Sequence, residues 1–148
     1  MAAERTARSV WQGDLQGGSG EVSTETSSVL QGTPVSWAAR TEDAGGKTSP
    51  EELLAAAHAA CFNMALSGAL ARAGTPPERL ETTATTTFDK VGDKWKVTTA
   101  VLRVRGRVPG VDQAAFEEAA RGAGEGCPIS GALKGNVDIS VTAELESS

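Results

Sequence analysis

The stretch Ser49-Pro50-Glu51-Glu52-Leu53-Leu54-Ala55-Ala56-Ala57-His58-Ala59-Ala60-Cys61-Phe62-Asn63-Met64-Ala65-Leu66 carries the strongest structural signal in the chain. Ser49 suits an N-cap and Pro50 the first helical position. The acids that follow suit the first turn, where Glu52 can return a hydrogen bond as in a capping box. From Leu53 to Ala71 there is no formal charge, and eight of those nineteen residues are alanine, so the pattern predicts a long helix buried on most sides. Gly74, Pro76 and Pro77 end it. The length approaches that of a membrane span, but His58, Asn63, Ser67 and Gly68 among so much alanine make a poor one, and no membrane partner is expected. A central helix wrapped by sheet accounts better for the composition.

On the carboxyl-terminal side, residues 83–88 and 95–108 are β-rich and split by Gly92-Asp93, which predicts a hairpin. A shorter helix opens at Asp112 and is carried by Ala114, Ala115, Glu117, Glu118, Ala119 and Ala120 until Gly122 and Gly124 interrupt it. Val137, Ile139, Val141, Ala143 and Leu145 then alternate with polar residues, the pattern of a half-buried strand. On the amino-terminal side, residues 7–11 and 21–25 follow period two around the turn-rich run 16–20, a first hairpin. After a break at residues 31–34, Val35, Ser36, Trp37 and Ala38 read as a third short strand ending near Arg40, followed by a loop over 41–48. The order of elements is α+β, not a repeated βαβ alternation, and residues 1–148 read as one domain.

A chain of 148 residues can bury a sizeable core without disulfide staples. Only three Trp and three Phe are present, so the core leans on Ala, Val and Leu. A net charge of −5 with no Lys/Arg run lacks the footprint of a nucleic-acid binder and points to a small-molecule partner. The amino terminus shows no apolar signal core, so a cytoplasmic location is the expectation. One His and two Cys 66 positions apart (127 − 61) offer no metal-ligand cluster and no Cys-x-x-Cys spacing. No phosphate-binding glycine motif opens a helix either, so no cofactor is expected.

Chemistry therefore falls to the thiols. Taken alone, each Cys reads more readily as a small buried hydrophobe. Cys61 lies eleven residues beyond Pro50, roughly 16 Å up the helix, too far for the helix dipole to lower its pKa much, so a cation is needed. His58, at i−3, offers a Cys-His pair of the kind cysteine hydrolases use, against the commoner reading of a satisfied core His. Cys127 precedes Pro128 at a possible helix start, after a glycine-spaced run over 122–126 that would permit movement. A non-enzymatic module holding an acyl-like ligand in the alanine-lined groove is a further alternative.

The eighteen-residue block quoted above resembles the central-helix signature of the OsmC/Ohr family (osmotically inducible protein C and organic hydroperoxide resistance proteins). Gly126-Cys127-Pro128-Ile129-Ser130, followed by Ala132-Leu133, resembles that family's second cysteine motif, and the likeness covers nearly the whole chain. The resemblance implies antiparallel sheets around a buried central helix, and a peroxidase of oxidative or osmotic stress defence that reduces organic hydroperoxides. It implies that Cys61 is oxidised to a sulfenic acid, that Cys127 resolves it as a disulfide, and that a dithiol or lipoyl-type reductant restores both. It also implies that Arg40 holds Cys61 as thiolate and pairs with Glu51. The Trp37-Ala38-Ala39-Arg40 context resembles the OsmC branch, whereas Ohr-type members draw their arginine from nearer the amino terminus, where Arg5 and Arg8 stand. Gly131 departs from the larger, often basic residue of many members.

A thiolate nucleophile and a guanidinium to stabilise the leaving alkoxide suit peroxide cleavage on chemical grounds alone. The alanine-rich surroundings of Cys61 favour bulky organic peroxides. Glu51 and Cys61 are ten positions apart, about 15 Å along a straight helix, and lie on different faces. They can serve one compact site only if the helix breaks or the two come from different chains, and the expectation is a homodimer with paired central helices.

Overall fold

Ser49 caps the long helix as its sequence predicts, its Oγ accepting the Glu52 N–H at 3.1 Å. In a computed structural model, which describes residues 1–146, the elements follow in the order β1 (Ala7–Gln12), β2 (Ser19–Thr24), β3 (Thr33–Val35), α1 (Trp37–Thr41), α2 (Pro50–Arg72), β4 (Arg79–Val91), β5 (Lys94–Arg107), α3 (Gln113–Gly126), α4 (Pro128–Leu133) and β6 (Asp138–Leu145). The α+β class is as expected. Two compact units divide within α2, one comprising Met1–Leu53 and the other running from Leu54 on.

In the first unit, β1, β2 and β3 form an antiparallel sheet in that order. All six residues of β1 are exposed in the single chain, and among the described residues of this unit only Ser49 and Glu51 are buried. The third strand ends at Val35, sooner than expected. Ser36 is an N-cap whose Oγ accepts the Ala39 N–H at 3.1 Å, and Trp37–Thr41 turn into a short helix. Arg40 therefore stands in the last turn of α1 and not at the end of a strand. The capping box is also altered: the Glu52 carboxylate accepts from Thr48 Oγ1 at 2.6 Å.

In the second unit, Gly92 at φ 64 allows the two-residue turn that joins β4 to β5, with Val91 opposite Lys94. Ala100, Leu102 and Val104 of β5 are buried, and Leu102 and Val104, with Val108 just past the strand, meet Phe62, Leu66 and Leu70 of α2 and Phe116, Ala120 and Ala123 of α3. Ile139, Val141, Ala143 and Leu145 of β6 pack on the same core. Two expectations are corrected here. The sheet is not wholly antiparallel, because β6 pairs with β5 in parallel; the intervening segment with α3 and α4 is long enough to carry the chain back to the starting edge. The second helix does not stop at Gly122 and Gly124 but continues to Gly126. At Gly124 a Cβ would lie 2.7 Å from Val141 Cγ2, so that glycine serves a close helix–strand approach.

The burial of α2 also differs in extent. Glu51, His58, Phe62, Leu66 and Leu70 form its buried stripe, while Ala56, Ala57, Ala60 and Met64 remain exposed. One three-stranded sheet and one helix cover only one side of a cylinder. By length and composition alone α2 would also pass as a membrane span. Its polar side chains, however, meet protein groups: Asn63 Oδ1 accepts from Thr82 Oγ1 at 2.6 Å, and His58 Nε2 lies 2.8 Å from Ser130 Oγ.

Candidate active site

Cys61 stands at mid-helix on α2 and is partly buried; Cys127 is the N-cap of α4, is fully buried, and follows α3 without a break. Both thiols are free, and they lie near enough for each to shift the other's ionisation. The fold thus brings together side chains 66 positions apart in sequence. Pro128 at the first position of α4 forces the chain to restart as a new helix, which turns the Cys127 side chain toward α2.

The two thiols are driven apart electrostatically. Burial, followed by the hydrogen bond with Cys127, pushes the Cys61 thiol up, against a smaller pull from the Ile129 N–H. Burial pushes Cys127 up as well, but the Cys61 thiol, the N–H groups of Ser130 and Ile129 and the Ser130 hydroxyl outweigh it, leaving Cys127 below an ordinary thiol. Cys127 closes no side-chain cap hydrogen bond on α4, so these are field effects of nearby donors. The need for a further cation at Cys61, inferred from its distance up the helix, is sharpened by these contacts.

Arg40 grips Glu51 as a fork, Nε to Oε1 and Nη2 to Oε2 both at 2.9 Å, with the carboxylate side chain only 9% exposed. The guanidinium carbon also lies 5.8 Å from the centre of the Trp37 ring. Of the alternative arginines, Arg8 pairs with Glu25 at 3.2 Å and Arg5 with the Glu4 carbonyl at 2.8 Å, both at the surface. Arg40 and Glu51 thus pair with each other in one unit, and Cys61 and Cys127 meet in the other. Within the first unit, Trp11, Leu15, Val35, Trp37, Arg40 and Pro50 line an apolar cleft of about 300 Å³.

The Cys61–His58 pair is not formed: the imidazole turns into the core, where Nε2 is taken by Ser130 and Nδ1 has no partner among the described residues. Ser130 is the residue whose part the sequence did not reveal. Its position three after Cys127 across a Pro-led helix start was the available signal, but its partner His58 is 72 positions away. At Gly131 a Cβ would meet nothing within 4 Å, so packing does not demand the glycine there.

Residues 42–142 match the family model described as OsmC-like protein. The chain is 41% identical to peroxiredoxin OsmC of Escherichia coli (strain K12) over 94% of its own length and 96% of that protein's. It is 33% identical to an organic hydroperoxide resistance protein of Xanthomonas axonopodis pv. citri (strain 306), over 66% of its own length and 68% of the other's. Among solved structures, the organic hydroperoxide resistance protein OhrB of Bacillus subtilis superposes with a TM-score of 0.73 at 27% identity, covering 95% of this chain and 98% of that one. With a family match over residues 42–142 and a relative 41% identical over 94% of its length, the chain belongs to the OsmC-like protein family.

Proposed function

We propose that this chain is a cysteine-based peroxidase that reduces organic hydroperoxides to alcohols. The observation that carries the reading is the pair of free thiols near enough to shift each other's ionisation, Cys61 on α2 and Cys127 at the head of α4. The kinship with proteins named peroxiredoxin and organic hydroperoxide resistance protein supports it. The Cys61 thiolate attacks the hydroperoxide oxygen, the O–O bond breaks, the alkoxide leaves as alcohol on gaining a proton, and Cys61 becomes a sulfenic acid. Cys127 attacks that sulfur, a disulfide forms and water departs. An external dithiol, of lipoyl type or otherwise, then returns both thiols.

Because burial and Cys127 both hold Cys61 protonated, a guanidinium is assigned to it, and Arg40, fixed by Glu51, is the fitting one. The continuous helix from Pro50 to Arg72 leaves about 15 Å between Glu51 and Cys61 along its axis. This supports a homodimer in which the Arg40–Glu51 pair of one subunit serves the thiol of the other. The exposed side of α2 and the exposed β1 strand are the surfaces such a partner would cover. The apolar cleft beside Arg40 suits a bulky organic peroxide. The cytoplasm, expected from the sequence, would supply the reducing equivalents.

One equivalent of cumene hydroperoxide is expected to consume two thiols per chain and leave a Cys61–Cys127 disulfide. Persistence of both thiols would sink the peroxidase reading and favour a binding module. Cys127→Ser is expected to react once and then stall as a dimedone-reactive sulfenic acid; steady turnover in that variant would remove Cys127 from the cycle. For subunit sharing, Cys61→Ser and Glu51→Ala chains, each inactive alone, are expected to regain up to about half of the activity per heterodimer when co-expressed. No recovery in isolated heterodimers would show that acid and thiol act within one chain.

A further inference from the structure

His58 is fully buried and has no part in the cycle above, yet its Nε2 lies 2.8 Å from Ser130 Oγ while Nδ1 has no partner. A stranded buried N–H is rarer in folded proteins than an unpaired acceptor, which places the proton on Nε2 and leaves Nδ1 a bare lone pair. His58 Nε2–H therefore donates to Ser130 Oγ, and the Ser130 proton is free to point elsewhere. Ser130 is the third residue of α4 and Cys127 its N-cap, the spacing at which a side chain folds back over the cap. That spacing puts the Ser130 hydroxyl beside the Cys127 sulfur, where it favours the thiolate. All three side chains are shielded, Ser130 being 3% exposed and the other two 0%, so water neither competes for the His58–Ser130 bond nor screens the hydroxyl from the sulfur.

We propose that His58 and Ser130 are positioning residues acting in series on Cys127: the imidazole holds the Ser130 hydroxyl toward the sulfur, and that hydroxyl stabilises the thiolate that closes the disulfide. The inference rests on the peroxidase cycle above and deepens its second step. In that step the Cys127 sulfur attacks the sulfenic sulfur of Cys61, the S–S bond forms and the S–O bond breaks. The departing hydroxide takes up the proton that Cys127 released and leaves as water. No outside oxidant or reductant enters. His58 stays neutral throughout, since burial holds it below its usual pKa. The groups facing the Cys127 sulfur are the Cys61 thiol on α2 and, on α4, the N–H groups of Ile129 and Ser130 with the Ser130 hydroxyl.

The test is the ultraviolet titration of the Cys127 thiolate in a Cys61→Ser background, which needs no peroxide. Adding Ser130→Ala is expected to raise the midpoint by about one pH unit, the effect of one hydrogen bond to a charged group. His58→Leu is expected to raise it as well, and His58→Gln, which keeps an N–H donor, to restore it. With Cys61 present, Ser130→Ala is expected to consume the first hydroperoxide at an unchanged rate and to close the disulfide about threefold more slowly. The tenfold loss of thiolate is partly offset there by its greater nucleophilicity. Ser130→Ala removes a single oxygen and decides the matter even if His58→Leu fails to fold: an unchanged midpoint overturns the proposal. A raised midpoint in His58→Leu that His58→Gln does not restore overturns the donor role of His58. A chain that never reacts with hydroperoxide would sink the peroxidase cycle, while the titration would still report on the hydrogen-bond series.

Discussion

Cys61→Ser is expected to lower cumene hydroperoxide reduction by at least about 10³-fold, in single-turnover as well as steady-state assays. A serine hydroxyl at this place has no base to activate it. The nearest candidate, His58, spends Nε2 on Ser130, and its Nδ1 makes no hydrogen bond. Nor can Cys127 take over: it is fully buried, whereas Cys61 is partly exposed. Its lower pKa would make it the more ionised thiol at neutral pH, but ionisation without access does not bring a peroxide within reach. The measurement therefore separates two quantities that are often merged. If Cys61→Ser kept activity within tenfold of the parent chain, Cys127 would be the peroxidatic residue and the division of labour would reverse.

Phe116→Ala is expected to cost about 4 kcal/mol of unfolding free energy, read as a lower urea midpoint at an unchanged slope. Phe116 is fully buried at the centre of the second unit's core, and its ring lies directly on Gly106 of β5. A Cβ at Gly106 would run into that ring and approach Leu80 Cδ2 at 3.2 Å, so strand and ring fit only because Gly106 has no side chain. Removing the ring leaves a cavity that the backbone of β5, paired on both sides, cannot close. Gly106→Ala is consequently expected to destabilise by about 2 kcal/mol through overpacking, and Phe116→Leu to relieve part of that cost in the double variant. Strict additivity of the two changes would show that ring and strand are not in contact.

Features that are written within a few residues were legible without coordinates. Ser49 and Pro50 start α2 because a cap and a fixed φ act on the next three residues and on nothing farther away. Gly92-Asp93 turns the hairpin for the same reason, and the alternation from Val137 to Leu145 yields a half-buried strand whatever lies opposite. The short helix α1 was missed although its signal was local: Ser36 caps Ala39, but the apolar Val35 and Trp37 on either side mimic period two. Family resemblance pointed to Arg40 pairing with Glu51, and the two side chains do meet.

Direction, depth and partnership are of another kind. Alternation along β6 is identical for parallel and antiparallel neighbours, so its parallel pairing with β5 came from the path of α3 and α4 and not from its own residues. Gly124 looked like a helix stop because glycine lacks local helix propensity; it stays helical because Val141, seventeen positions on, fills the space a side chain would need. The bond between His58 and Ser130 spans 72 positions, and neither residue carries a local sign of the other. Propensity and capping energies depend on atoms that covalent geometry already places side by side. Contacts between distant residues exist only once hydrophobic burial has brought the segments together, and packing then selects which side chains touch.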